Sequence, residues 1–371
     1  VSPDLIAQYR GIMEGYDEYY LSISSLPNPL LKWERTKTWN LGLDLQLFNG
    51  ISMSLEYYGR RSNAIINQDI AQEYGIATMK LNGGRIHNHG IEYSINLTPY
   101  KRKDFAWTIG FNASKNWNKG GETKIDRNTT MYLNGNGTQI LKEGYPLSAF
   151  WSYSFAGLDG SNGKPTFNYV EVPEEEKSKD IDPTTYLVYS GEKEPFFTGG
   201  LGLSFRYKSL SLNTSFSLLL GSHKRLPSPY NDFRGDHNMM PDPTKNINRD
   251  LLNRWQKPGD EAHTNIPGLP TWPLGIAWTL PNTDNGESAI PMWEKSDAMV
   301  VNASFLRCRN IGLSWQMKKE WCDKIHAKNL SVNFNMDNIF VIASKRFNGF
   351  DPELENSIMP RSFSLGLNIG F

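Results

Sequence analysis

The sequence has 371 residues, and its 39 Lys and Arg balance 39 Asp and Glu, so the formal net charge is zero. A neutral chain lacks the basic excess of a typical nucleic-acid-binding protein. The mean hydropathy of −0.52 and the lack of any apolar run of about 18 residues exclude a transmembrane helix. They do not exclude a membrane-spanning β-barrel, whose strands are apolar on one face.

The first residues carry no secretory signal. Val1 is followed by SPDLIAQYR, without a basic start, an apolar stretch or a small-residue cleavage site. We therefore expect either a mature protein or a sequence that begins inside a longer one, and the strand count below favours the second.

Strict alternation of apolar and polar residues begins at Trp39, in WNLGLDLQLF, and resumes at Ile51, in ISMSLEYYG. Alternation at period two places successive side chains on opposite faces of a β-strand. Asn49-Gly50 between the two stretches is a strong hairpin-turn signal. The pattern recurs and predicts nine strands, at 36–48, 51–63, 86–98, 105–116, 196–207, 210–221, 303–317, 329–340 and 361–371.

The two faces of these strands differ in an informative way. One face is Leu, Ile, Phe, Trp, Met and Val, and the other is mainly Ser, Asn, Gly, Asp and Gln. A soluble β-sandwich also alternates, but its exposed face usually carries many Lys and Glu. A small, largely uncharged polar face is typical of a wet or plugged barrel lumen, with the apolar face against lipid.

The predicted connections alternate between short and long. The short ones are 49–50, 99–104, 208–209 and 318–328, and the long ones are 64–85, 117–195, 222–302 and 341–360. Outer-membrane barrels have tight periplasmic turns and long outer loops. We therefore expect residues 1–35 to be an extracellular segment leading into the barrel, with residues 36–371 forming the barrel and Phe371 ending on the periplasmic side.

An odd number of strands cannot close an antiparallel barrel from a single bacterial chain. The sequence therefore predicts an all-β, antiparallel transmembrane barrel in part, as about nine strands of a larger barrel.

No sequence motif for catalysis is present. There is no G-x-S-x-G, H-E-x-x-H, Walker loop or C-x-x-C. His87 and His89 alternate on one predicted strand without a third ligand nearby in sequence, so we interpret them as polar strand residues rather than a metal pair. We expect neither an enzyme nor a bound metal or cofactor.

Two further features concern residues near the end of the chain. Cys308 and Cys322 are separated by roughly 30 Å of strand at ~3.3 Å per residue, which is too far for a disulfide, so two free thiols are predicted. The phase of alternation slips between Leu306/Cys308 and Ile311/Leu313, which predicts a β-bulge near Arg309-Asn310.

Loop 222–302 is rich in proline and tryptophan. Proline stiffens a loop, and exposed aromatic faces bind sugar rings or peptide side chains. The candidates for contact with substrate or a covering partner are Trp255, Trp272, Trp278 and Trp293. The alternative is that each tryptophan packs the loop's own core.

Several stretches together resemble the SusC/RagA-like branch of TonB-dependent outer-membrane transporters. They are LKWERTKTWNLGLDLQLFNGISMSLEYYGRRSNAII from Leu31, IHNHGIEYSINLTP from Ile86, EGYPLSAFWSYSFAGLDGSNGKP from Glu143, FFTGGLGLSFRYKSLSLNTSFS from Phe196, LNRW from Leu252, and ASFLRCRNIGLSW from Ala303 through the ending MPRSFSLGLNIGF. They follow the family order over most of residues 31–371.

The resemblance implies a larger plugged barrel in the outer membrane, capped by a SusD-like surface lipoprotein and driven by the TonB complex. It implies uptake of a large nutrient, an oligosaccharide or a peptide, with loops 117–195 and 222–302 as candidates for ligand and lid contacts. The plug domain and the TonB box are not visible in this chain. The terminal strand, with Phe363, Leu365, Leu367, Ile369 and Phe371 on one face, is similar to the C-terminal signal for barrel assembly.

Two alternatives remain at this point. One is a passive porin or adhesin barrel, which a plug upstream would exclude. The other is a soluble all-β carbohydrate-binding module, which would fold without amphiphile and bury its apolar face.

Overall fold

The structure is a computed structural model. It describes residues 6–12, 19–70, 72–76, 78–123, 132–133, 141–169, 182–230, 244, 246–269, 276–279, 286–354 and 357–371. Trp272 and part of the large loops lie outside these residues.

Nineteen strands follow one another in the described part of the chain. The first nine are β1 (Ile6–Ile12), β2 (Tyr19–Ser25), β3 (Arg35–Leu47), β4 (Ile51–Asp69), β5 (Thr78–Lys101), β6 (Phe105–Thr123), β7 (Ala149–Tyr153), β8 (Phe155–Leu158) and β9 (Pro165–Phe167). The others are β10 (Leu187–Glu192), β11 (Phe197–Tyr207), β12 (Leu210–Leu220), β13 (His223–Arg225), β14 (Ile276–Thr279), β15 (Gly286–Ser288), β16 (Val300–Asn302), β17 (Phe305–Gln316), β18 (Asn329–Ala343) and β19 (Ser362–Gly370). Short helices cover Ala289–Glu294 and Lys319–Lys324.

One large sheet contains all nine strands that the alternation predicts. Its order is β19-β18-β17-β12-β11-β6-β5-β4-β3, so each strand pairs with its neighbour in the predicted series. Every pairing in it is antiparallel. The remaining strands form separate two-stranded sheets, including the β1–β2 hairpin.

The short connections lie at one rim of this sheet, here called the short-turn rim. They are residues 48–50, 102–104, 208–209 and 317–328. Three differ from the prediction, and the last of them begins one residue earlier because β17 ends at Gln316. Leu47 pairs with Ile51, so the first turn includes Phe48, which has a φ of 53°, besides Asn49-Gly50. The second is shorter than predicted because β5 continues to Lys101.

The opposite rim, here called the long-loop rim, carries the long connections, but some start later than predicted. Most of 64–85 is strand, because β4 and β5 stay paired as far as Asp69 and Thr78. The loop predicted to begin at residue 117 begins after Thr123. Backbone pairing continues after the apolar alternation has ended, since ladder hydrogen bonds do not require apolar side chains.

The apolar face of the sheet is exposed. Leu41 is 70% exposed, Leu365 76% and Phe363 62%. A soluble sandwich would bury these side chains against a second sheet. The sheet therefore presents its apolar face to its surroundings, as the barrel prediction requires.

The predicted bulge is confirmed at Arg309. Ser215 pairs with Asn310 and Phe216 with Cys308, which leaves Arg309 without a partner on β12. The extra residue keeps Cys308 and Ile311 on the same face.

Both cysteines are free, as predicted, and the structure buries both of them. In the described part of the chain, no helix is long and apolar enough to span a membrane.

Candidate functional site

The hydrophobic core lies in the long loops rather than in the sheet. It combines residues from both large loops, which therefore fold as one unit, here called the loop domain. Its buried members are Tyr132, Leu133, Ala149, Trp151, Tyr153, Phe167, Tyr186, Leu187, Tyr230, Leu251, Met292, Trp293 and Met299. Two loops that are distant in sequence thus stabilise each other by burying aromatic and aliphatic surface.

Arg225, in β13, links the two halves of the loop domain. Its guanidinium donates to the backbone oxygens of Leu133 at 2.7 Å and Trp151 at 2.9 Å, and to the hydroxyl of Ser152 at 3.0 Å. Burial lowers the pKa of Arg225 to about 10. These contacts hold the backbone of the first loop against the second loop.

Trp293 belongs to this core. It is 1% exposed, and its indole N–H donates to the backbone oxygen of Asn265 at 2.8 Å. Its ring packs edge-on against Tyr230, with centroids 6.1 Å apart. Trp293 therefore packs the loop's own core, which was the alternative to a ligand or partner contact, although it also lines a cavity.

Trp255 is half-buried and lies over a turn. Its indole N–H donates to Glu261 Oε2 at 3.1 Å. The ring covers Gly163, where a Cβ would lie 2.4 Å from it, and Gly268, where the distance would be 2.9 Å. Trp278 is on β14, but its side chain, like all of Trp272, lies outside the described residues. Of the four predicted tryptophans, the structure thus describes the side chains of two, Trp293 in the core and Trp255 over a turn.

A cavity of about 440 Å³ opens between the loop domain and the connection that follows β18. We call it the rim cavity. One wall is polar, with Asn248, Asp250, Asn253, His263, Thr264 and Asn265, and the other has Lys345, Arg346, Phe347, Asn348 and Phe350. Amide and hydroxyl groups beside aromatic rings can bind a polar polymer through hydrogen bonds and ring contacts.

Two polar contacts fix the walls of the rim cavity. The side-chain amide of Asn348 donates to the carboxylate of Asp250, which joins one wall to the other. Burial raises the pKa of Asp250, against the charge of Arg249. Arg346 donates to the backbone oxygens of Ala298 at 2.5 Å and Val300 at 3.3 Å, and burial lowers its pKa.

A buried ion pair anchors the second wall to the sheet. Arg307 of β17 is 2% exposed, and its guanidinium lies 2.6 Å from Asp351 Oδ1 and 2.8 Å from Glu353 Oε2. Sequence analysis did not single out these residues. The sequence does contain one indication of Arg307. It lies between Leu306 and Cys308, beside the predicted bulge, and the alternation places it on the polar face.

The polar face of the sheet has a second concavity, of about 310 Å³. Its lining includes Ser54, Glu56, Glu92, Ser94, Asn112, Ser114 and Thr198. Glu56 and Glu92 face each other across β4 and β5. The neutral polar lining expected of a lumen is therefore interrupted by carboxylates at this level.

The predicted assembly signal is exposed on β19 and the residue after it. The exposed fractions are 62% for Phe363, 76% for Leu365, 60% for Leu367, 42% for Ile369 and 75% for Phe371. Exposure makes these residues accessible, and their role in assembly stays a prediction.

Comparison with known proteins finds relatives of moderate sequence identity. No model of a known protein family matches the chain. The TonB-dependent receptor SusC of Bacteroides thetaiotaomicron is 28% identical over 96% of this chain. The TonB-dependent receptor P3 of Formosa agariphila is 25% identical over 94% of it. Over nearly its whole length, the chain is therefore similar to proteins named TonB-dependent receptors.

A solved structure has a similar fold. The RagAB peptide transporter matches with a TM-score of 0.72 over 99% of this chain, at 24% identity. The chain spans about a third of the length of the curated relatives it matches, 34% of SusC and 35% of P3. These two relatives are named as receptors, and the solved structure is described as a peptide transporter.

Proposed function

We propose that this chain forms part of an outer-membrane, TonB-dependent importer of a large polar nutrient. The observation that carries the proposal is the exposed apolar face of the nine-stranded sheet, combined with a polar opposite face. Lipid is the surrounding that stabilises such a face. A soluble carbohydrate-binding module would leave it in water, and no observation favours a passive porin.

In this proposal the long-loop rim is extracellular. Residues 1–35 precede the first of the nine strands on that side, and the loop domain covers it. In the same proposal, the plug domain and the TonB box lie in the part of the full-length protein that corresponds to the length of the relatives not spanned by this chain. The energy for uptake comes through that part from the inner membrane.

A SusD-like surface lipoprotein is the proposed partner, and an oligosaccharide or a peptide the proposed nutrient. RagAB is described as a peptide transporter, which makes peptide a ligand class to test beside glycan. The rim cavity and the exposed edge of Trp255 are the proposed ligand and lid contacts. The amide-rich wall at Asn248, Asn253 and Asn265 offers paired donors and acceptors to either polymer.

Growth on a single polymeric nutrient tests the function. Deleting the full-length gene should abolish growth on one class of oligosaccharide or peptide and leave growth on its monomers intact. A second strain that carries Asn253→Ala and Asn265→Ala should grow more slowly on the polymer at low concentration. Unchanged growth of the deletion strain on every polymer tried, with the protein absent from outer-membrane fractions of the wild type, would refute the proposal.

A further inference from the structure

A row of basic side chains crosses four neighbouring strands near the long-loop rim. Lys37 pairs with Arg61, Arg61 with His87, and His87 with Lys119. All four lie on the apolar face of the sheet. Each is two positions from a member of the neighbouring row that contains Trp39 and Trp117, and residues two apart in a strand share a face. We call Lys37, Arg61, His87 and Lys119 the basic row.

Like charges directly opposite each other on neighbouring strands are destabilising. Lys37, Arg61 and Lys119 are exposed, and none forms an ion pair with a described carboxylate. The basic row itself contains no Asp or Glu. Such an arrangement is stabilised when an anion lies against it.

The next row toward the middle of the strands is aromatic. It consists of Trp39, Gly59, His89 and Trp117 in register. His89 stacks on Trp117 with ring centroids 5.1 Å apart. Trp39 covers Gly59, where a Cβ would come within 2.5 Å of the indole. Aromatic residues in this position are typical of the level of the lipid headgroups.

Lys115 lies one row further in, among apolar residues. Its ammonium group reaches back toward the rim, 4.8 Å from the Trp117 ring centroid and 5.5 Å from that of Phe196. A lysine that extends along apolar surface to place its charge at an interface is snorkelling. The direction of this side chain therefore indicates that the polar boundary lies on the side of the basic row.

We propose that the basic row binds the phosphate groups of an anionic lipid in the leaflet at the long-loop rim. The inference rests on the proposed membrane function. In this arrangement the acyl chains contact the apolar rows and the headgroups lie level with the aromatic row. The phosphates contact the basic row just beyond it. Neighbouring strands are about 4.8 Å apart, so the row spans roughly 14 Å, enough for more than one phosphate. Lys and Arg at this level attract anionic headgroups.

The test uses the full-length protein, purified in detergent and titrated with phosphatidylglycerol or with phosphatidylcholine of the same acyl chains. Native mass spectrometry counts the lipids retained. The wild type should retain phosphatidylglycerol preferentially. The variant Lys37→Gln/Arg61→Gln/Lys119→Gln should lose that preference by at least about tenfold. Arg60→Gln is the matched control, since Arg60 adjoins Arg61 on β4 but lies on the polar face.

The outcomes separate this inference from the proposed function. Equal retention of both lipids by the wild type, or an equal loss in Arg60→Gln, would overturn the basic row as a lipid site. Displacement of phosphatidylglycerol by equimolar inorganic phosphate would overturn a lipid as the source of the phosphate. A wild-type protein that stays folded and monomeric without detergent, and retains neither lipid, would instead refute the membrane function itself.

Discussion

The guanidinium of Arg307 donates to the carboxylate of Asp351 across 2.6 Å, although the two residues are 44 positions apart. Arg307 is on β17 and Asp351 is in the connection between β18 and β19. Both are almost completely buried. The pair attaches one wall of the rim cavity to the sheet, so the shape of the cavity depends on it.

Removing one partner should loosen that wall. Asp351→Ala leaves the buried cation of Arg307 with the carboxylate of Glu353 and the weakly accepting sulfur of Met359, and breaking a buried pair in this way costs about 3 kcal/mol or more. We expect faster proteolysis within residues 344–361 of the folded protein. Glu353→Gln, at a carboxylate that is 30% exposed, should have a much smaller effect. Equal protease resistance in Asp351→Ala and the wild type would contradict this role.

The same contact predicts a dependence on pH. Burial alone would raise the pKa of Asp351, but the hydrogen bond and charge of Arg307, with the backbone N–H of Glu353, lower it below its ordinary value. A carboxyl group whose pKa is lower in the folded state stabilises the fold at pH values above its unfolded-state pKa of about 3.9. That stabilisation is lost as the pH falls through the folded-state pKa.

Hydrogen exchange in residues 344–354 should therefore be unchanged from neutral pH to about pH 5, after correction for intrinsic rates, and rise at lower pH. Asp351→Asn should abolish the rise in hydrogen exchange at low pH. Identical pH profiles for this variant and the wild type would show that another group controls the loop.

Trp255 and Trp293, the two candidate contact residues whose side chains are described, should respond differently to substitution. Trp293→Ala removes a fully buried ring from the loop domain and should destabilise that domain by about 3–5 kcal/mol. Trp255→Ala should leave the near-ultraviolet circular dichroism largely intact and weaken binding of the nutrient polymer. If Trp255→Ala binds as the wild type does, the residue packs its turn and makes no ligand contact.

Charge should be tolerated on one face of β3 and not on the other. Leu43 is on the apolar face and is 50% exposed, so Leu43→Arg should cost about 2–4 kcal/mol of folding free energy in a bilayer. Asp44→Arg, at the next residue on the polar face, is the matched control and should fold nearly as well as the wild type. Equal yields of the two folded variants in phospholipid vesicles would argue against lipid contact.

Much of the fold was predictable because period-two alternation is a strong local signal. The alternation from Trp39 to Leu47 predicts the strand and the two faces of β3, since a slip of one residue would reverse every side chain. The ends of β4 and β5 were not predictable in the same way. Residues such as Asn67 and Lys80 continue the pairing through backbone hydrogen bonds and leave no apolar pattern.

The candidate site was less predictable. The loop domain has no periodicity, and its core joins Trp151 to Trp293 through contacts that no local pattern records. Tryptophan content drew attention to loop 222–302, but composition cannot tell a buried ring from an exposed one. The contact of Asn348 with Asp250 depends on how two loops meet at the long-loop rim.

A scan of spin-labelled cysteines along residues 41–46 tests the central claim most directly. The native cysteines, Cys308 and Cys322, are buried and free, so they can be replaced by serine and checked for folding. In bilayers, labels at 41, 43 and 45 should respond to oxygen dissolved in lipid, and labels at 42, 44 and 46 to a water-soluble nickel complex. Uniform accessibility to the nickel complex along the strand would contradict a lipid-facing sheet.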